Sequence, residues 1–568
     1  MLKRRFALLM VIIMSLSMFA GCGGEPADSG GGQSNAESDT VIWRMRSEPR
    51  SLDPQRNFSS DGSHIIQNTY EGLYAEKIGG IEPSMAESYD VSEDGLIYTF
   101  HLREGLKWSD GEPLTAKDFE YSWKRLCAPE TGATTSFMMT NYIKGAMEYL
   151  MGEGTADEMG VRALDDRTLE VELKNPVPYF VNLTTFYSYF PCRQDIVEEY
   201  GDGWDKNPET SISNGPFRLA EYQTGSHIVL EKNEYFWNAE NVHINRIKGL
   251  MLGDASTALN GYEAGEIDVM QSPPLDEITR LKAEDPNLQI LPSIGTFSIN
   301  FNVDKAPTND LNVRKALTLA IDRTKIVEQV TKGGEIPATG YIASAFVFSD
   351  GTSFRQMDED GNLVEEYGID PSGAQVEEAK AALAAAGYPD GKGFPKIEYL
   401  YDTDEASKKI AEALQAMWKE NLNIDVTLRN EDRSVFNENT IKGNYDVSKG
   451  GWWADYYDPM SMFDTCLSYS GNNKVQWRWN EQPIVAPHDH TLNPENKEFD
   501  DAVNMAQQTT GTERDEWLRK AEKVIMDNFV TAPVYYYTDV ILVNQNRVEG
   551  VGLTPVGFWC FKEGRMVE

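Results

Sequence analysis

Tyr98-Thr99-Phe100-His101-Leu102-Arg103, running into Leu106-Lys107-Trp108-Ser109-Asp110-Gly111 and Leu114-Thr115-Ala116-Lys117-Asp118-Phe119, is the stretch on which the reading of the fold turns. Its first block reads as a short strand. Thr115 then stands as N-cap to a helix carrying Phe119, Tyr121, Trp123 and Leu126. Strand and helix this close together indicate mixed α and β character. Toward the N-terminus, Val41-Ile42-Trp43-Arg44-Met45 reads as a first strand and Pro49 to Pro54 as a turn-rich connection. Toward the C-terminus, Thr168-Leu169-Glu170-Val171-Glu172-Leu173 alternates apolar and polar residues as a half-buried strand does. Asp310 caps a helix with Val313, Leu317, Ala320 and Ile321 on one face, and Val376 to Ala386 is an Ala-rich helix ending at Gly387. Ile397 to Tyr401, a helix between Asp404 and Asn421, and Ile424 to Leu428 form a strand, helix, strand unit. Pro533 to Tyr537 and Val540 to Val543 add β structure at the end. The fold class is α/β, with structure beginning near residue 40 and no internal repeat.

The chain has 568 residues, 40% hydrophobic and 25% charged, so it buries a substantial core and is too polar for a bundle of membrane helices. Its 52 Lys and Arg stand against 90 Asp and Glu, a net charge of -38 that opposes attraction to phosphate backbones. The charge argues against nucleic acid as a partner. Five cysteines are too few for a disulfide scaffold. Neither a phosphate-binding Gly-rich loop with Lys, nor a His-Glu-x-x-His zinc helix, nor a Gly-x-Ser-x-Gly nucleophile elbow is present. His488-Asp489-His490 is the one dense ligand-like cluster. It reads as a weak metal site or, with no third ligand assignable, as an exposed polar loop.

Lys3, Arg4 and Arg5 precede an apolar run from Phe6 to Ala20 broken only by Ser15 and Ser17, the outline of a secretory signal. The run, of about 15 residues, is shorter than the roughly 20 that span a bilayer, so cleavage is expected. Phe19-Ala20-Gly21-Cys22 resembles the lipobox of bacterial lipoproteins, with Phe19 where Leu is more usual. That resemblance implies a signal peptide at 1–21, lipidation of Cys22, and a flexible tether to residue 39. The alternative is an ordinary signal followed by a chance cysteine. The chain is expected outside the cytoplasm, lipid-anchored to the outer face of the cell membrane.

Further blocks flank the opening stretch. Glu48-Pro49-Arg50-Ser51-Leu52-Asp53-Pro54, Glu71-Gly72-Leu73-Tyr74 and Pro83-Ser84-Met85-Ala86-Glu87-Ser88-Tyr89 come before it. Asn214-Gly215-Pro216-Phe217, Val313-Arg314-Lys315-Ala316-Leu317 with Ile321-Asp322-Arg323, and Pro533-Val534-Tyr535-Tyr536-Tyr537 come after it. In this order they resemble the oligopeptide-binding lipoproteins of bacterial ABC importers, the peptide/nickel-type solute-binding proteins of family 5, over essentially the whole chain beyond residue 40. The resemblance implies a two-lobed periplasmic-binding-protein-like clamp with an additional α+β domain, closing on its ligand by a hinge. Mapped here, lobe I takes residues 40–70, 214–294 and 537–568, the extra domain 71–213, and lobe II 295–536. It further implies capture of oligopeptides and their delivery to ABC permease subunits, with no catalysis. A monomer without cofactor is expected.

Lys449-Gly450-Gly451-Trp452-Trp453-Ala454-Asp455-Tyr456-Tyr457-Asp458-Pro459 is the most informative segment for binding. A carboxylate among four aromatics is costly to desolvate unless a cation meets it. In the family, the aspartate at the position of Asp455 pairs with the ligand's N-terminal amine; the alternative is a turn cap or an internal ion pair. Gly450 and Gly451 either let a ligand backbone approach and pair as an added strand or mark a bulge. Lys449 stands where some relatives meet a short peptide's carboxylate end, and otherwise reads as a solvated lysine. Trp452 flanks this segment, and Trp453 replaces a small or sulfur-bearing residue, which reshapes the first side-chain pocket. Ser59 and Ser60 occupy a loop whose backbone contacts the other side of the ligand in relatives. Tyr537, with Tyr535 and Tyr536, lines the cleft near the lobe junction or alternates between core and surface. Trp108 reads as structural. Cys127, Cys192, Cys466 and Cys560 allow three pairings for two disulfides, or stay as buried thiols.

Three other functions compete: the same fold binding nickel, haem, sugar or another solute; a lipoprotein sensing peptide pheromones; and a cell-surface peptidase, for which no nucleophile or metal constellation is found. The acidic surface favours cationic peptides at low ionic strength.

Overall fold

The computed structural model describes residues 39–479 and 493–567. The lipidation motif at Cys22 and the His488-Asp489-His490 cluster lie outside those residues. Six elements place the site: Thr40–Met45 (β1), Ser60–Thr69 (α1), Leu288–Phe301 (β2), Val447–Lys449 (β3), Trp452–Trp453 (β4) and Thr531–Val543 (β5).

The opening stretch folds as its sequence indicates. Ile97–Leu102 is a strand with alternating burial, and Ala116–Cys127 is a helix. Thr115 accepts a hydrogen bond from the Lys117 amide, while the Asp118 carboxylate accepts from the Thr115 amide at 2.7 Å, so two amides left over at the helix start are satisfied. Phe119, Trp123 and Leu126 are fully buried, and the Trp123 indole donates to the Tyr189 carbonyl at 2.7 Å. Trp108 is likewise enclosed. Ile97–Leu102 joins Ala86–Val91, Val161–Ala163 and Thr168–Glu172 in a four-stranded antiparallel sheet.

The strand, helix, strand unit is also present. Ile397–Asp402 and Val426–Glu431 pair in parallel, bridged by the helix Glu405–Leu422 with Asp404 as its N-cap. The second strand starts at Val426 rather than Ile424. Asn423, at φ 56°, ends the helix, and the Ile424 amide donates back to the Trp418 carbonyl, so Ile424 belongs to the helix terminus. At the C-terminal end the two expected strands are one, β5. All four cysteines among the described residues are free and buried, and burial pushes the Cys127, Cys466 and Cys560 thiols up to about 12.

One twelve-stranded sheet runs through the described chain. On one side of the adjacent long strands β2 and β5 stand Val426–Glu431, Ile397–Asp402 and β3; on the other stand Val269–Gln271, β1, Arg246–Met251, His227–Lys232 and Phe217–Gln223. The two long strands pair antiparallel, Leu288 to Pro292 against Leu542 to Thr538, then Thr296 to Asn300 against Tyr536 to Thr531. Between these blocks Ser293, Ile294 and Gly295 face the single residue Tyr537. Such an excess of residues bends a strand and increases its local twist. The ladder is thereby divided into two parts at Tyr537.

β3 and β4 both pair with β2, with Ile299 opposite Lys449 and Thr296 opposite Trp452. The register is the same on both sides of Gly450 and Gly451, so no residue is inserted and the glycines are not a bulge. They are required by close approach. A Cβ on Gly450 would lie 2.3 Å from the Asn300 side-chain oxygen. One on Gly451, whose φ is 114°, would lie 2.5 Å from the Thr296 carbonyl oxygen. Gly451→Ala is expected to destabilise the protein by about 1–3 kcal/mol, because both backbone strain and a clash with immovable backbone act there. The urea unfolding midpoint measures this, and an unchanged midpoint would show that β4 can move away from β2.

Candidate functional site

The segment after β4 is held from several directions. The Ala454 amide donates to the Ile294 carbonyl at 3.0 Å, inside the extra residues of β2. The Asp455 amide donates to Ser461 Oγ at 2.9 Å, which also receives the Trp452 indole at 3.4 Å. Tyr456 stacks on Tyr179 at 5.4 Å, Asn182 donates to the Tyr457 carbonyl at 3.0 Å, and the Tyr457 hydroxyl donates to the Ala345 carbonyl at 2.9 Å. Asp458 is taken by Arg514 at 2.7 Å. The segment around Asp455 is therefore fixed by partners from four distant parts of the chain.

Its carboxylate is not. Among the described residues no cation or hydrogen-bond donor meets the Asp455 side chain, although the group is half-buried. Burial, with the Asp464 charge adding to it, pushes its carboxyl up to about 6. Other aspartates in buried settings have partners: Asp53 with Arg125 at 2.5 Å, Asp402 with Lys449 at 2.7 Å, Asp458 with Arg514. The geometry leaves Asp455 as an anion in a partly dry setting, suited to receive a cation from outside.

Two cavities meet at this residue. One, of about 580 Å³, is lined by Arg46, Phe58, Ser59, Ser60, Ser63 and His64 on one side, Phe186 and Tyr187 on a second, and Trp453, Asp455, Thr538 and Asp539 on a third. The other, of about 700 Å³, is lined by Asp455 and Asp464 with Tyr142, Tyr179, Tyr469 and a series of Asn and Gln side chains. The sequence-selected residues Ser59, Ser60, Trp453 and Asp455 are thus brought to one cavity. Ser59 caps α1 by accepting from the Gly62 amide, which sets the chain's entry beside the cavity. Trp453, 41% exposed, packs at a tilt on Tyr537 with ring centroids 5.0 Å apart, over Gly295, where a Cβ would lie 2.8 Å from the Tyr537 ring. Of its neighbours, Tyr535 is buried against Phe297 and the Tyr536 hydroxyl accepts from the Gly340 amide in the core.

Lys449 stands apart. Its ammonium donates to Asp402 at 2.7 Å and Ser407 at 2.8 Å, and it does not line the 580 Å³ cavity. The faces of Gly450 and Gly451 that lack a side chain are turned to Asn300 and Thr296, so what they accommodate is β2.

Arg46, Phe58, Tyr187 and Asp539 line the cavity without having been singled out in the sequence. One signal for Arg46 was available: it directly follows β1, which pairs in parallel with Arg246–Met251 and Val269–Gln271, and the carboxyl ends of parallel strands are where ligands bind in open sheets.

With the site described, comparison with known proteins gives its class. The family model of bacterial extracellular solute-binding proteins, family 5 middle, matches residues 80–474. The chain belongs to that family, whose members are binding proteins. It is 33% identical to the oligopeptide-binding protein OppA of Bacillus subtilis (strain 168), covering 99% of each chain. Among solved structures it is similar to the periplasmic murein tripeptide-binding protein MppA in its unliganded open form, with TM-score 0.79 and 31% identity over 94% of this chain and 98% of that one. Against OppA of Haemophilus influenzae in complex with RPPGFSPFR the TM-score is 0.68, at 30% identity over 94% and 99%. The backbone is nearer to the open form.

Asp455 carries a pH signature. Its folded-state value of about 6 lies above the usual 3.8, so the folded protein binds more protons than the unfolded chain between those values and loses stability as pH rises through them. The deficit is complete above pH 6. Asp455→Asn, which mimics the neutral form, is expected to stabilise the ligand-free protein by roughly 1–2 kcal/mol at pH 7 and by nothing below about pH 4. Thermal unfolding at both pH values checks this.

Proposed function

We propose that this protein captures oligopeptides outside the cytoplasm and delivers them to an ABC permease. The observation that carries the reading is the Asp455 carboxylate, half-buried, unpartnered and beside two cavities. The α-ammonium of a peptide is a cation of the right size and charge to neutralise it. Trp453, packed against Tyr537, supplies an apolar wall, and the backbone of β4 supplies main-chain groups that pair with any peptide regardless of its side chains. Membership in family 5 and the peptide ligands named for its relatives support the same assignment.

Residues 40–70, 214–294 and 537–568 form one lobe, 295–536 the other, and 71–213 an extra domain. The hinge lies where Ser293 to Gly295 face Tyr537, and the greater likeness to an unliganded open form supports an open ligand-free state. Cys22 carries the lipid that tethers a monomer to the outer face of the membrane. No metal or cofactor enters the reading.

Calorimetric titration with a mixed tetra- to hexapeptide pool, free-amine and N-acetylated, tests it. The free-amine pool is expected to bind, and acetylation or Asp455→Ala to weaken binding by about 30-fold or more, the equivalent of roughly 2 kcal/mol or above. Because the ammonium binds only the ionised carboxylate, affinity rises with pH up to about 6, is level to about 7, and falls again as the free peptide amine, of pKa about 8, loses its proton; protons are released on binding below pH 6. Equal binding of both pools would remove the amine from the account. Binding of neither would favour another solute, identified by mass spectrometry of what co-purifies.

A further inference from the structure

Asp455 accounts for one charge on a ligand; a peptide carries at least two. The 580 Å³ cavity holds three charged side chains, Asp455, Asp539 and Arg46. Lys449, the residue that family likeness offers for a carboxylate, is outside this lining, and its ammonium is already shared between Asp402 and Ser407. Recruiting it would strip a buried aspartate of its partner, a costly change.

Arg46 is in the opposite situation. It is exposed, and its guanidinium makes one long hydrogen bond, 3.3 Å from Nη2 to Ser60 Oγ, and no ion pair among the described residues. Arg44, two residues earlier on β1, shows what a structural arginine looks like here: buried, with hydrogen bonds to the carbonyls of Leu252, Gln271, Ser272 and Gly253. Asp539, the other carboxylate on this wall, accepts from Gln271 Nε2 at 2.7 Å and is not within ion-pair distance of Arg46. A planar fork of five N–H groups, four of them unused, therefore faces the cavity that Asp455 also lines.

We propose that Arg46 receives a carboxylate of the bound ligand, so that this site selects molecules bearing an ammonium for Asp455 and an acid group that reaches Arg46. This rests on the peptide-capture reading. The acid is a peptide C-terminus or an Asp or Glu side chain, the same chemistry from two sources.

The test titrates the full chain with one tetrapeptide as free acid and as C-terminal amide, and with an interior Glu and its Gln counterpart as amides. In one of these pairs the acid is expected to bind about tenfold or more tightly than its neutral partner. Arg46→Gln should bring that ratio to near one while leaving the penalty of N-acetylation in place. Arg46→Lys, which keeps the charge but not the fork, should retain part of the ratio, and Lys449→Met all of it. A ratio that survives Arg46→Gln, a ratio lost in Lys449→Met, or equal binding within both pairs would overturn the assignment. Failure of the Asp455 reading shows separately, as an absent acetylation penalty with the Arg46-dependent ratio intact. Arg46 is exposed and holds no buried group in place, so folding is not at stake in its variants.

Discussion

Three residues of one long strand, Ser293 to Gly295, lie opposite the single residue Tyr537 of its neighbour, and the site is built around that mismatch. The extra length bends β2 away from β5 just where the pairing divides into two blocks. It also frees the Ile294 carbonyl to hold Ala454 and makes room at Gly295 for the packed rings of Trp453 and Tyr537. The same two strands thus join both halves of a twelve-stranded sheet and present the residues between them. For the proposed hinge this placement matters, since a small torsional change at a bulge moves everything paired beyond it.

Asp455 departs from how this chain treats most of its buried charge, a departure shared by Glu76, whose Oε2 is also without a hydrogen-bond partner among the described residues. Arg323 and Arg314 satisfy their guanidinium groups with backbone carbonyls, and Arg355 sits wholly buried between Glu366 and Glu522. Buried aspartates elsewhere are met by Arg125, Lys449 and Arg514. Leaving a half-buried carboxylate without a partner costs stability in the ligand-free state, and in the proposed reading a ligand ammonium would remove that cost at the moment of binding. On that reading, binding energy would come from a group common to all peptides rather than from their side chains.

Much of this was legible in the sequence because it is local. A Thr followed three residues later by Asp marks the helix start at Ala116, and periodicity marks the strands and helix between Ile397 and Glu431. A carboxylate set among four aromatics marks the environment of Asp455. What was not legible depends on residues far apart in the chain. Lys449 meets Asp402, 47 positions earlier, which nothing in the glycine-tryptophan segment announces. Gly450 and Gly451 look like room for a ligand backbone, but the space they clear is occupied by Asn300 and Thr296 of β2. The fusion of two apolar runs into β5 was hidden because Thr538 and Asp539 look like a break, whereas they are the half-buried residues that line the cavity.

The most direct test of the central claim is a structure of the protein with a free-amine peptide bound. The account predicts the peptide's terminal nitrogen at about 2.8 Å from the Asp455 carboxylate, the usual length of a charge-assisted hydrogen bond, with the peptide backbone beside Trp452, Trp453 and the Ser59-Ser60 loop. A bound ligand whose amine lies elsewhere, with Asp455 facing only water, would contradict it.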